Sequence, residues 1–209
     1  MFRMKTKRPV HLRYRVVTRN GILAFRAPRI PVGARRVTVF LDRDGVLNRR
    51  VVGGYVTRWA DFVFLPGVKK TLRRLRNAGF QLVIVSNQAG VAKGLLSCGD
   101  LIQITEASLK KLQAAGVPID GAFFCLHQPA DACSCRKPKA GLLEEAGRVL
   151  PIDFRRSFLI GDSPSDMQAG AEMGCATIYL AGEAGASIPA TYRAKTLSEA
   201  VGWVLARKS

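Results

Sequence analysis

Val37-Thr-Val-Phe-Leu41 is a short, mostly apolar run that empties straight into Asp42-Arg-Asp44-Gly45-Val-Leu-Asn48. A run of this length without strict alternation reads as a parallel strand buried on both faces. The acids then leave the strand at its carboxyl end. The same figure repeats along the chain. Phe80-Gln-Leu-Val-Ile-Val85 runs into Ser86-Asn87-Gln88, and Gly121-Ala-Phe-Phe-Cys125 into a cysteine-rich loop. Ser157-Phe-Leu-Ile160 runs into Gly161-Asp162, and Ala176-Thr-Ile-Tyr-Leu180 is a fifth strand. Helices are predicted in between. Pro66 opens one that keeps apolar spacing through Val68, Leu72 and Leu75 and stops at Gly79. Others are expected at about 99–115, 139–149, 164–173 and 196–207.

Strands alternating with helices predict an α/β fold, a Rossmann-like three-layer parallel sheet with helices on both faces. Ligands of such sheets bind beyond the carboxyl ends of the strands. A chain of 209 residues, 48% hydrophobic, supports one packed core, here residues 37–209. No stretch has the length of a membrane span or the pattern of a secretory signal, so a soluble, cytoplasmic monomer is expected.

The formal net charge is +18. Such a balance raises nucleic acid as a partner. However, the first acid in the chain is Asp42, and the basic residues before it, from Arg3 to Arg36, carry much of the excess. Residues 1–36 therefore read as a basic extension. Within it, Asn20-Gly21 stands between β-prone runs. A short hairpin, a disordered leader and an overextended start of translation all stay open, and no chemistry is assigned to the segment. Nucleic-acid binding through this leader is the reading of a different class.

Each strand end carries a candidate. Asp42 and Asp44 are two apart, with Gly45 free to turn the backbone towards an anion. One carboxylate can attack phosphorus, and the other can protonate the leaving oxygen and deprotonate water. Taken alone, Asp-x-Asp-Gly is equally a solvated turn. Ser86, Asn87 and Gln88 offer hydrogen bonds to phosphate oxygens, though Ser and Asn are common turn residues. Asp162 can complete a hard-cation site. Asp166 is left between capping the helix that starts near Pro164, orienting Lys137 and contacting the metal.

Cys125-x-His127 and Cys133-x-Cys135 are two soft-ligand pairs separated by five residues. They can close a tetrahedral, structural zinc site with all four positions filled. Arg136 and Lys137 follow the last ligand directly, so a metal at 125–135 would aim two cations at one place. Cys98 and Cys175 lie apart and read as packing residues.

Together these motifs resemble the haloacid dehalogenase superfamily of phosphatases from about Val37 to Leu180. The resemblance implies Asp42 as nucleophile, Asp44 as acid/base, Ser86 as the small hydroxyl and Lys137 as the lysine. It also implies magnesium held by Asp42, the Asp44 carbonyl oxygen and Asp162. Asp-Arg-Asp-Gly…Asn48, Asn87-Gln88 and the C-x-H…C-x-C-R-K-P run resemble, more narrowly, the heptose-1,7-bisphosphate 7-phosphatases and the related histidinol-phosphatase domains. Gly54-Tyr55-Val56 ahead of Phe64-Leu-Pro-Gly67 favours the heptose branch, which serves lipopolysaccharide precursor synthesis. That match implies substrate contacts from Asn48, Gly54, Tyr55, Ser86, Asn87, Gln88, Arg136 and Lys137, and no large cap domain. Arg49, Arg50 and Arg58 precede the next acid, Asp61, and tilt the reading towards a second anionic group on the substrate. A histidinol-phosphate phosphatase is the alternative.

Overall fold

A computed structural model describes residues 14–28, 33–180 and 188–207. The eight strands are β1 (Arg15–Arg19), β2 (Ile22–Arg26), β3 (Thr38–Leu41), β4 (Gln81–Asn87), β5 (Gly121–Cys125), β6 (Phe158–Gly161), β7 (Ala176–Leu180) and β8 (Tyr192–Ala194). The five α-helices are α1 (Val68–Asn77), α2 (Cys98–Ala114), α3 (Gly141–Val149), α4 (Pro164–Glu172) and α5 (Leu197–Leu205). One sheet holds all the strands in the order β1-β2-β5-β4-β3-β6-β7-β8. Pairings from β5 through β8 are parallel.

β3 lies between β4 and β6, where the strand order reverses. A crevice opens at the carboxyl ends of the strands at such a point, and Asp42 is the first residue beyond β3. Side chains alternate across the sheet. Val39, Leu41, Leu82 and Ile84 face one core with Leu72 and Leu75 of α1, Leu101 and Ile104 of α2, and Val201 of α5. Phe40, Val83 and Val85 face the other core with Leu142 and Leu143 of α3 and Met167 of α4. That period of two lets strands without polar alternation bury both faces.

Residues 15–26 form the hairpin, the first of the three readings held for the leader. Arg19 pairs with Ile22 across Asn20 and Gly21, whose φ angles are 49° and 68°. Two consecutive positive φ values are what a two-residue type I′ hairpin turn needs, and Asn-Gly adopts them readily. β2 then pairs antiparallel with β5. The parallel sheet expected from the sequence is therefore extended by two antiparallel strands at one edge and by β8 at the other. The basic residues Arg3, Lys5, Lys7, Arg8, Arg13 and Arg29 lie outside the described residues.

Candidate active site

Asp42 leaves β3 with its backbone N–H donating to Ile160 O at 3.0 Å and its side chain 8% exposed. Its Oδ1 accepts from Lys137 Nζ at 2.9 Å. That ammonium also donates to Val85 O at 2.8 Å and pairs with Asp166 Oδ1. An ammonium has three donors, so all three are engaged. Lys137 can bond a phosphoryl oxygen only by exchanging it for one of these partners. Burial alone would lower the Lys137 pKa, but Asp166 and Asp42 more than offset it and hold the group charged.

Asp166 is fully buried. Its second oxygen accepts from the Ser163 hydroxyl at 2.6 Å and the Ser163 N–H at 3.1 Å, closing the capping box of α4. Asp166 therefore both caps the helix and orients Lys137, two of the three roles the sequence left open. Asp42, Asp162 and Asp166 bring carboxylate oxygens within 4.8 Å of one another. Gly45, with φ of 90°, permits this. A Cβ there would lie 1.7 Å from Asp162 Oδ2. Burial, then the charge of Asp42, pushes the Asp162 carboxyl up to about 7. Burial also raises Asp42, against the pull of Lys137 and with the push of Asp166 and Asp44. Three acids facing one engaged ammonium form a donor set with surplus negative charge, which suits a hard divalent cation. Arg50 Nη2 reaches Asp162 Oδ1 at 2.6 Å and partly compensates that charge.

Asp44 sits in a different network. It accepts from the Arg43 guanidinium at 2.8 Å, Asn48 Nδ2 at 2.8 Å and Gln88 Nε2 at 2.9 Å. Burial pushes its carboxyl up, but Arg43 and these hydrogen bonds win and hold it below the usual carboxylate range. Asn48 and Gln88, expected at the substrate, are thus buried behind Asp44. Asn87 spends its amide on the backbone of residue 137, with Nδ2 donating to Lys137 O at 2.9 Å and Oδ1 accepting from Lys137 N at 3.0 Å. That reciprocal pair fixes the lysine's main chain to the end of β4.

A cavity of about 470 Å³ opens over Asp42, and Asp44, Ser86 and Lys137 also line it. Its outer wall carries Gly53, Gly54 and Tyr55, with Arg50, Lys93 and Arg136 as cations. Of the three arginines noted after Asn48, only Arg50 lines it. Arg58 pairs with Asp61 on the surface. Lys93 was missed. It stands 5.5 Å over the Tyr55 ring, and the only signal for it was a cation following the β4 end.

Beyond β5, four soft ligands converge. Cys125 Sγ lies 3.1 Å from Cys135 Sγ and 3.7 Å from Cys133 Sγ, and Cys133 and Cys135 are 3.5 Å apart. His127 Nδ1 is 3.3 Å from Cys135 Sγ. A tetrahedron with bonds of about 2.3 Å to sulfur has edges of roughly 3.8 Å, close to these separations. All three cysteines are free thiols. Arg136 Nη1 donates back to His127 O at 3.2 Å, which ties the cation to the cluster.

A family model described as HAD-hydrolase-like matches residues 134–200. The chain is 35% identical over 168 residues to the D-glycero-beta-D-manno-heptose-1,7-bisphosphate 7-phosphatase of Helicobacter pylori J99, covering 79% of this chain and 95% of that one. The chain belongs to the heptose-bisphosphate phosphatases of the haloacid dehalogenase superfamily. The D-glycero-alpha-D-manno-heptose-1,7-bisphosphate 7-phosphatase of Mycobacterium tuberculosis H37Rv is 41% identical over 150 residues, 69% of this chain and 79% of that one. A crystal structure of D,D-heptose 1,7-bisphosphate phosphatase from B. bronchiseptica, complexed with magnesium and phosphate, superposes with a TM-score of 0.75. It is 31% identical and covers 81% of this chain and 98% of that one. The two relatives are thus named for different anomers of the substrate. No helix among the described residues is long and apolar enough to cross a membrane.

Proposed function

We propose that the chain is a magnesium-dependent phosphatase that removes the 7-phosphate of D-glycero-D-manno-heptose 1,7-bisphosphate through an aspartyl-phosphate on Asp42. The observation that carries the reading is the convergence of Asp42, Lys137 and Asp162 beneath a cavity whose outer wall is cationic.

In the first half-reaction an Asp42 oxygen attacks phosphorus and the bond to the sugar oxygen breaks. Asp44 gives that oxygen its proton. In the second, water attacks the phosphorus, Asp44 takes the water's proton, and the bond to Asp42 breaks to release phosphate. Held below the usual carboxylate range, Asp44 is ready as a base. Its acid half requires the carboxyl to leave Arg43 and turn into the cavity. Ser86 and Lys137 bind phosphoryl oxygens, Lys137 by exchanging its bond to Asp42. Asp42, Asp162 and the Asp44 carbonyl oxygen are the residues to hold magnesium, which when bound neutralises charge on the transferring group. The Cys125, His127, Cys133 and Cys135 cluster is read as a structural zinc site that fixes Arg136 and Lys137.

Arg50, Lys93 and Arg136 favour a second phosphate over the ammonium of histidinol phosphate. Among the described residues, the acids lining the cavity are Asp42 and Asp44 alone. The test is a panel of phosphate esters with Mg²⁺, including both heptose bisphosphate anomers and histidinol phosphate. A kcat/KM highest on one heptose bisphosphate is expected, and a clear preference for histidinol phosphate would overturn the substrate.

A further inference from the structure

The hairpin placed outside the chemistry by its sequence lies directly against the cysteine–histidine cluster. β2 pairs with β5 so that Ile22 stands opposite Cys125, the first ligand. Leu126 N donates to Gly21 O at 2.9 Å, so the residue between Cys125 and His127 is bonded to the hairpin turn itself. The His127 ring then fills the space where a side chain at residue 21 would sit. A Cβ on Gly21 would lie 2.0 Å from Cε1 and 2.3 Å from Nε2. Real Cβ atoms do not approach that closely, so only glycine leaves this ring where it is. Nδ1 points the other way, at Cys135 Sγ and Cys125 Sγ.

We infer that the hairpin turn is the supporting wall of the metal site, and that Gly21 is a positioning residue that sets the His127 ring so that Nδ1 faces the three sulfurs. The inference rests on the zinc reading above. Its physical basis is that a histidine ligand is only as well aimed as the groups around its ring. Loss of such support costs about 10–100-fold in metal affinity. β5 brings Cys125 to the site, and the imidazole two residues later lies beyond the strand. The turn supports it through one hydrogen bond to Leu126 and by leaving room for the ring. It follows that the segment before β3 belongs to the working enzyme.

Gly21→Asn separates sterics from backbone strain. Asparagine tolerates positive φ better than other side chains, so the turn can persist while the Cβ meets the ring. The readouts are zinc release to a chelator from the full chain and the visible spectrum of the Co²⁺-substituted protein. Val16→Ala is the control, since Val16 packs on the hairpin's own core side and is expected to lower thermal stability without altering either readout. Gly21→Asn is expected to speed zinc release about tenfold or more and to shift the cobalt bands. In a His127→Cys background the ring is gone, and Gly21→Asn is expected to have no further effect. Release at the wild-type rate in Gly21→Asn, an equal effect from Val16→Ala, or an undiminished effect in the His127→Cys background would each overturn the inference while leaving the zinc reading intact. Absence of zinc from the wild-type protein would overturn both.

Discussion

Lys137 Nζ lies 2.9 Å from Asp42 Oδ1, although 95 residues separate them in the chain. The contact spans the sheet from β3 to the loop after β5. It pulls the Asp42 carboxyl down in a site where burial pushes it up. The same ammonium holds Asp166 and the Val85 carbonyl, so one cation joins the end of β3, strand β4 and the first turn of α4.

Asp42→Asn keeps the shape of the side chain and removes its nucleophilic charge. The kcat is expected to fall by at least about ten thousand-fold, the order seen when a nucleophile is lost. The melting temperature is expected not to fall, because one of three crowded carboxylates is gone. Steady-state kinetics and thermal unfolding check both. Substantial turnover by the variant would refute Asp42 as the nucleophile.

Asp166→Ala leaves Lys137 with one carboxylate and strips the cap from α4. Breaking a buried ion pair on one side costs about 3 kcal/mol, and chemical denaturation is expected to show a loss of that order. Asp166→Asn can still accept from Ser163, so its loss should be smaller. If the two variants are equally stable, the cap contributes little beyond the ion pair.

The Asp162 carboxyl titrates near 7 in the folded protein, raised first by burial and then by Asp42. An unfolded aspartate titrates near 4. The folded state therefore holds a proton that the unfolded chain has released in this window. The stability this provides is complete below about pH 4 and is lost as the pH rises through 7. Added Mg²⁺ is accordingly expected to raise the melting temperature more at pH 8 than at pH 5. Melts of wild type and Asp162→Asn at both pH values test this. An equal shift at the two values, or an unaltered response in the variant, would count against Asp162 as a metal ligand.

Cys133→Ser removes one of four converging donors. Zinc affinity is expected to fall by more than the roughly 10–100-fold typical of losing a supporting group. The kcat should fall with it, because the loop carrying Arg136 and Lys137 is no longer pinned. Zinc content by elemental analysis decides the first point, and wild-type content in the variant would remove Cys133 from the site.

Much of this arrangement is written locally. The five strands expected from apolar runs form, within two residues of their expected ends, because uninterrupted apolar stretches bounded by turns have few other ways to be buried. Ser86 near the end of β4, and Asp42, Lys137 and Asp162 in the loops after β3, β5 and β6, come together because parallel strands end on one side of the sheet. The cysteines and the histidine lie within eleven residues at the end of β5 and in the loop after it, so their spacing is legible locally even though the hairpin turn backs the His127 ring. Asn48 and Gln88 were less legible. Both are polar residues near strand ends, and nothing local says whether they face the cavity or turn back to Asp44. Both donate to Asp44, and Gln88 reaches it from another strand end.

By itself, then, the sequence determined the layered α/β architecture, the candidate residues at its strand ends and the cysteine–histidine cluster, because each depends on periodicity or spacing within about a dozen residues. The tertiary structure alone decided that residues 15–26 join the sheet, that Gly21 backs His127, that Lys93 rather than Arg58 lines the cavity, and that Asp166 serves Lys137. These are contacts between segments far apart in the chain. They are selected by which surfaces the packed sheet brings together, and no local pattern encodes that choice.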